Sequence, residues 1–275
     1  MGKPQGIYLG RFIENGAEKR EIGYAGTRHL ITIGPNGSGK GTGLIVPNLS
    51  DLRRSVLIID PKGEAAAITA RKRAAFGRVV MLNPFNELAD NLPHLKSHGF
   101  NPLLTLDPAS DDFPDDATAI AEALVRVEGK DPHWAQSAQQ ILAALIMWER
   151  ATQGDQASLG HVRELLTQPA LRNDGQPAGF LKTVHAMYAS GYPPLQAKCG
   201  RFLMETNEIQ SVLSTAITQT NFLDSPPIAR DLAQGTFDFN DMKREIVTVY
   251  LILPAFRLHT HRNWLRLMVV SYQRP

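Results

Sequence analysis

Short apolar runs bounded by turn residues recur in the first third of the chain. The runs at residues 29–33, 55–59 and 78–82 are rich in Val, Ile and Leu and do not alternate with polar residues. Continuous β-branched runs of this length are typical of strands that are buried on both faces. Residues 64–75 are rich in Ala and Arg and predict a helix between the second and third runs. The order of these elements predicts a parallel sheet with right-handed crossovers.

Strand signals also occur near both ends of the sequence. Near the start, the apolar pieces at residues 7–9 and 22–24 predict a β-hairpin or an extended lead-in. Near the end, residues 246–253 predict a strand that Pro254 stops. Residues 263–272 then carry the spacing of a helix.

The pattern between residues 114 and 223 is mainly helical. Asp131 is placed to cap a helix that has Pro132 in its first turn. Apolar side chains then follow at helical spacing and form one face: Trp134, Ala138, Ile141, Leu142, Leu145 and Ile146. Ser158 is placed to cap a short helix, and residues 208–220 repeat the helical spacing. We therefore expect an all-helical insertion between two stretches of sheet.

These patterns predict an α/β fold with a parallel sheet and an inserted all-α domain. We expect residues 1–104 to hold a lead-in and the first part of the sheet domain. Residues 105–225 are then the inserted helical domain, and residues 226–275 return to the sheet domain.

The amino-acid composition adds no new element to this prediction, but it excludes several other classes of protein. Of the 275 residues, 43% are hydrophobic and 20% are charged, which is ordinary globular usage. The single cysteine, Cys199, excludes a disulfide framework and fits a reducing compartment. The formal net charge of +2 gives no electrostatic indication for or against nucleic acid. No apolar run is long enough to cross a membrane, and the first residues lack the apolar core of a signal peptide.

A glycine-rich loop follows the first predicted strand and opens a predicted helix, which is the context of a P-loop. Glycines let backbone N–H groups turn inward to form an anion nest, and Lys40 adds a mobile charge for the β- and γ-phosphates. The alternative is a glycine-rich turn with an exposed lysine. The predicted phosphate-binding residues are Gly34, Pro35, Asn36, Gly37, Ser38, Gly39, Lys40, Gly41 and Thr42.

The loop departs from the usual P-loop at one position. A Ser or Thr normally follows the lysine and binds Mg²⁺ through its hydroxyl, but Gly41 stands there and the hydroxyl comes one residue later, at Thr42. Three alternatives remain open. Thr42 reaches the metal after a local shift, Ser38 or water replaces it, or other parts of the protein hold the metal.

Asp60 ends the apolar run at residues 55–59. A carboxylate in this place resembles a Walker B residue, and the end of a buried strand beside a phosphate loop is a reasonable place for nucleotide contacts. We therefore include Asp60 among the nucleotide-binding candidates. The alternative is that it caps the helix that begins near Gly63.

Three consecutive basic residues lie on the helix predicted at residues 64–75: Arg71, Lys72 and Arg73. Contact with nucleic acid or with a neighbouring subunit is one interpretation. A solvated helix face is the commoner arrangement for such a group, and we favour it here.

Several segments resemble the type IV secretion coupling proteins, the TraG/VirD4-type conjugation ATPases. The resemblance covers essentially the whole chain and is most specific between residues 34 and 64, where the phosphate loop is followed by Asp60-Pro61-Lys62-Gly63-Glu64. A glycine directly after the P-loop lysine also occurs in that family. The likeness continues in residues 6–11, 43–49, 101–103, Trp134, 222–223 and 248–251.

This resemblance implies a RecA-like P-loop NTPase domain with an inserted all-helical domain. It implies ATP and Mg²⁺ as cofactors, with Lys40 as the catalytic lysine. Members of the family are hexameric, DNA-translocating ATPases on the cytoplasmic side of the bacterial inner membrane. They receive a relaxase–DNA complex or an effector protein and pass it to the secretion channel, and the helical domain is associated with substrate recognition.

The chain departs from the family pattern in two ways. The family usually begins with membrane-spanning helices, and none is predicted here. The family also carries a strand with an Asp-Glu Walker B pair after the strand that contains Tyr250, but residues 254–275 contain no Asp or Glu. Asp60 belongs to an earlier strand and does not replace that pair. We therefore expect a member truncated at both ends, and whether it hydrolyses ATP or only binds it as a recognition adaptor stays open.

Overall fold

The structure is a computed structural model that describes residues 6–128, 132–168, 179–204, 206–235 and 237–273. Asp131, the predicted helix cap, lies outside these residues.

The chain begins with the predicted β-hairpin. Strand β1 (Ile7–Glu14) pairs antiparallel with β2 (Ala17–Tyr24). The turn between them, Asn15-Gly16, has positive φ at both residues, which is the backbone of the tight turns that join twisted strands. Asn48 fixes the hairpin to the first helix, because its side chain accepts from Tyr8 N at 2.7 Å and donates to Tyr8 O at 2.8 Å.

A parallel sheet forms the centre of the molecule, as the apolar runs predicted. It contains β3 (Val56–Ile59), β4 (Arg78–Leu82) and β5 (Val247–Leu251), in the spatial order β3-β5-β4. Every residue of the middle strand, β5, is buried. The predicted strand at residues 246–253 is therefore confirmed with slightly shorter ends.

The predicted strand at residues 29–33 is wrong, because these residues form no strand. Ile31 and Ile33 are 86% and 88% exposed. A strand needs hydrogen bonds from a neighbour, and in the described structure β3 is paired only on the side that faces β5. A run of β-branched residues favours the strand conformation, but it does not provide a neighbouring strand with which to form hydrogen bonds.

Helices cover both faces of the sheet. On one face, α1 (Val46–Asp51) and α2 (Glu64–Ala74) form a small cluster with Met81 and Tyr250. On the other, alternate strand residues such as Val80 join the large core of the helical region. This two-sided burial explains why the strands read as continuous apolar runs.

The helical character of the middle of the chain is confirmed. Its helices are α3 (Phe113–Leu124), α4 (His133–Gln153), α5 (Leu159–Thr167), α6 (Gly179–Ala189), α7 (Pro193–Cys199), α8 (Asn207–Gln219) and α9 (Pro226–Leu232). Ser158 caps α5 as predicted, since its side chain accepts from His161 N. The division into three domain segments stays a prediction, because one continuous core joins these helices to the sheet.

Two helices flank the last strand. A short helix, α10 (Asp241–Arg244), precedes β5, and α11 (Leu258–Gln273) follows it. Helix α11 begins earlier than predicted and contains one non-helical residue, His261. Among the described helices, none combines the length and the hydropathy that crossing a membrane requires.

Candidate nucleotide-binding site

The predicted phosphate loop connects the extended residues 29–33 to the start of a helix. Gly37 and Gly39 adopt φ values of 76° and 78°, which only glycine takes without strain. The turn is closed by Ser38 N, which donates to Pro35 O at 3.3 Å. The glycines at these positions are therefore required by the path of the backbone.

Lys40 folds back over the loop that precedes it. Its Nζ donates to Gly34 O at 2.6 Å and to Pro35 O at 2.7 Å, and lies 3.4 Å from Ser38 Oγ. The ammonium group is thereby held against the backbone of Gly34 and Pro35. Lys40 therefore does not extend freely into solvent, and its role in binding phosphate stays a prediction.

The helix after Lys40 starts with one turn of π-helix, Gly41–Ile45, and continues as α1. Gly43 N donates to Gly39 O at 2.7 Å. The first N–H groups of a helix have no partner within the helix, and together with the helix dipole they favour an anion at that end. The start of this helix directly after the glycine turn is the placement that the sequence predicted, and phosphate binding by the backbone from Gly37 to Thr42 stays a prediction.

Thr42 Oγ1 donates to Gly39 O at 3.4 Å. Its hydroxyl therefore contacts the loop itself, one residue beyond the usual position. No atom lies within 4 Å of the place where a Cβ on Gly41 would stand. The structure leaves room for a side chain at Gly41, so sterics do not explain why glycine occupies this position.

Asp60 is placed at the carboxyl end of β3, and it is 6% exposed. Its Oδ2 accepts from Ala66 N at 2.8 Å, in the first turn of α2. Burial raises the pKa of this carboxyl, and the backbone N–H groups of Ala66 and Ala65 oppose that rise. Of the two alternatives from the sequence, the structure displays the helix cap, and a nucleotide contact by Asp60 stays a prediction.

Arg73 is a structural residue that sequence reasoning placed on a solvated face. It is fully buried, and Nε donates to Thr248 Oγ1 at 2.7 Å, while the guanidinium also donates to the carbonyls of Leu49, Leu52 and Arg54. Burial lowers its pKa. The helical spacing of α2 could have indicated this burial, because Arg73 falls on the same face of the helix as the buried Ala66, Thr69 and Ala70.

An apolar cavity of about 400 Å³ lies between β3, the hairpin and the helix after the phosphate loop. Leu30 and Thr32, from the segment that leads into the loop, line it together with Leu44, Ile58 and Ile59. Ile59 is half exposed. The lead-in thus lies near the open edge of the sheet without pairing to it.

No group of three or more His, Cys, Asp or Glu side chains with metal-binding geometry occurs in the described part of the chain. The structure therefore identifies no ligand set for Mg²⁺ among those side chains. Thr42 stays the predicted contact.

Comparison with known proteins agrees with the fold. The family model described as "Type IV secretory system Conjugative DNA transfer" matches residues 2–274. The solved structure of the bacterial conjugative coupling protein TrwBdeltaN70, in its unbound monoclinic form, is similar at a TM-score of 0.55 and 15% identity. The match covers 86% of this chain and 48% of that one, and it supports a RecA-like P-loop NTPase fold.

Curated relatives point to the same family. The conjugal transfer protein TraG of Escherichia coli is 28% identical over 275 residues, which covers 96% of this chain and 42% of TraG. The protein VirD4 of Rhizobium radiobacter is 29% identical over 175 residues, 62% of this chain and 23% of VirD4. The chain thus spans less than half of the length of these relatives. Its match to the family model over nearly all of its residues shows that it belongs to the type IV secretory system conjugative DNA transfer family.

Proposed function

We propose that this chain is the ATP-binding part of a coupling protein for conjugative DNA transfer. The observation that carries the proposal is the Lys40 amine held against a glycine turn, 2.6 Å from Gly34 O, directly before a helix start. A phosphate loop of this kind in a chain of the DNA-transfer family is the arrangement expected of a nucleotide-driven motor.

The residues of the loop fit the phosphates of ATP. The amides from Gly37 to Thr42 would supply donors, and Lys40 would exchange its carbonyl partners for phosphate oxygens. Mg²⁺ would neutralise phosphate charge when bound, and Thr42 is the hydroxyl nearest to the generic position in sequence. ATP and Mg²⁺ are accordingly the proposed cofactors.

The partners follow from the family. We propose that the whole protein links a relaxase–DNA complex or an effector protein to components of the type IV secretion channel. We further propose that it does so as a homo-hexamer on the cytoplasmic side of the bacterial inner membrane. These proposals concern the whole protein, since the chain matches only 42% of TraG.

A second candidate is a nucleotide-binding module that does not hydrolyse ATP and serves as an adaptor for substrate recognition. The hydrogen bond from Ala66 N to Asp60 Oδ2 favours it, because this carboxylate already has a structural partner. The adaptor would use the helices between residues 105 and 225 to bind its protein partner.

ATP turnover by the full chain, measured with and without single-stranded DNA, separates the two candidates. The motor predicts turnover that DNA increases and that Lys40→Ala abolishes. The adaptor predicts ATP binding without turnover, together with retention of a purified relaxase on the immobilised chain. Absence of ATP binding would contradict both candidates.

A further inference from the structure

A polar cavity of about 430 Å³ lies on the side of the molecule where α3 and α8 end and α11 begins. It is separate from the phosphate loop, and neither the motor nor the adaptor proposal uses it. Its principal lining residues are Arg126, Glu128, Gln219, His259, Arg262 and Asn263.

The walls of this cavity are fixed by side-chain hydrogen bonds between the elements. Gln219 holds the backbone of Arg126, because Oε1 accepts from Arg126 N at 2.6 Å and Nε2 donates to Arg126 O at 3.0 Å. Asn263 Nδ2 donates to Gln219 O at 2.8 Å and to Leu124 O at 3.4 Å. The carbonyl groups at the ends of α3 and α8 therefore have partners, which limits their attraction for cations.

Positive charge is concentrated around the cavity. Arg126 and Arg262 line it, and Arg266 follows Arg262 by one turn on the same face of α11. The opposing carboxylates are Glu128, whose Oε1 lies 2.9 Å from Arg126 Nη1, and Glu122 near Arg266. Burial and the charge of Arg126 lower the pKa of Arg266. The charges of Glu122 and Glu128 raise this pKa, but by less, so that the pKa stays below its ordinary value.

Arg266 also has an unused donor. Its Nη1 is buried and makes no hydrogen bond within the described structure. A buried guanidinium N–H without an acceptor is costly, and the cost is higher beside a second guanidinium. An anion in the neighbouring cavity would reduce the repulsion between the arginines, and it would give the N–H groups of Arg126 and Arg262, which line the cavity, an acceptor.

We propose that this cavity binds phosphate groups, with Arg126 and Arg262 as the direct ligands and Arg266 as the supporting charge. Arginine suits this role because its planar fork matches two phosphate oxygens. The same chemistry is presented by the backbone of single-stranded DNA and by a free polyphosphate. The proposal does not depend on nucleotide binding at Lys40.

Fluorescence anisotropy of a labelled oligothymidylate with the full chain tests the first source. Arg126→Ala and Arg262→Ala are each expected to weaken binding at least fivefold and to lower the salt dependence by about 0.7 per lost phosphate contact. The matched control is Arg244→Ala, which removes an exposed arginine charge from α10, outside the cavity, and should change affinity little. Lys40→Ala should leave this binding unchanged, which separates the cavity from the P-loop.

Thermal unfolding with inorganic pyrophosphate, carried out in the Lys40→Ala background, tests the second source. Pyrophosphate should raise the unfolding temperature of that background and of its Arg244→Ala double variant, but not of its Arg266→Met or Arg262→Ala double variants. Dependence of either probe on Arg262 supports the proposal and identifies the source. Binding of both probes that is the same in Arg262→Ala and in Arg244→Ala, or no binding of either probe, would overturn it.

Discussion

Arg73 Nε, on α2, donates a buried hydrogen bond of 2.7 Å to Thr248 Oγ1, on β5. The same guanidinium donates to carbonyl oxygens at the end of α1, including Leu49 O at 3.3 Å. One side chain therefore joins the helix that follows the phosphate loop to the middle strand of the sheet.

Replacing Arg73 with Met should lower the free energy of unfolding by about 2–4 kcal/mol, because several buried carbonyls and the Thr248 hydroxyl would lose their donor. Urea unfolding measures the change. Arg71→Met, on the exposed side of the same helix, is the matched control and should change stability by less than about 0.5 kcal/mol. Equal effects of the two substitutions would contradict this account of Arg73.

Asp231 predicts a pH dependence of stability. Burial raises the pKa of its carboxyl from 3.8 to about 6, although the Ser97 hydroxyl and Trp264 Nε1 donate to it. A carboxyl with a raised pKa in the folded state stabilises the fold at low pH, and this contribution is lost as the pH rises from about 4 to about 6. At about 1.4 kcal/mol per pH unit, the loss is at most about 3 kcal/mol.

Urea unfolding between pH 4.5 and pH 7.5 tests this prediction in the wild-type chain and in Asp231→Asn. The amide oxygen can still accept from Ser97 and Trp264 but does not titrate. The stability of the wild-type chain relative to the Asn variant should therefore fall as the pH rises from 4.5 to about 6, and it should level off above that pH. A difference that is constant with pH would show that Asp231 ionises normally in the fold.

Two glycines of the phosphate loop should respond differently to the same substitution. Gly39→Ala places a side chain at φ 78°, which costs about 1–2 kcal/mol and should distort the loop enough to abolish ATP binding. Gly41→Ala meets no atom within 4 Å and lies in a helical turn, where Ala is favoured over Gly by up to about 1 kcal/mol. Thermal unfolding and ATP titration of both variants check the pair, and equal loss of ATP affinity would contradict the loop geometry.

Asp60→Asn distinguishes a helix cap from a nucleotide contact. The amide oxygen of Asn can replace the acceptor for Ala66 N, so a pure cap predicts ATP affinity within about twofold of wild type. Asp60→Ala should cost about 1 kcal/mol of stability by removing the cap. A tenfold loss of Mg²⁺-dependent ATP affinity in Asp60→Asn would instead place this carboxylate in the nucleotide site.

Local patterns predicted much of the secondary structure. The helical face that begins at Trp134 became α4, and the apolar runs at residues 55–59 and 78–82 became β3 and β4. These predictions succeed because burial on one or both faces leaves a periodic trace in the sequence. The run at residues 29–33 has the same trace but no strand partner, and pairing is a tertiary property.

The site was predictable only in part. The loop from residue 34 to residue 42 has a local motif, and the positive φ values of Gly37 and Gly39 agree with it. The cap made by Asp60 and the burial of Arg73 depend on distant carbonyl, amide and hydroxyl partners. The sequence alone therefore could not show whether Asp60 caps a helix or contacts the nucleotide. Nor could it show whether Arg73 is buried or lies on the surface.

Titration of a fluorescent ATP analogue with Mg²⁺ tests most directly whether residues 34–42 bind ATP through Lys40. The matched control is Lys62→Ala, since Lys62 is exposed and pairs only loosely with Glu64, at 3.8 Å. We predict that Lys40→Ala weakens binding at least a hundredfold while Lys62→Ala and the wild-type chain bind alike. Binding that is unchanged in Lys40→Ala would contradict the assignment of this loop as the nucleotide site.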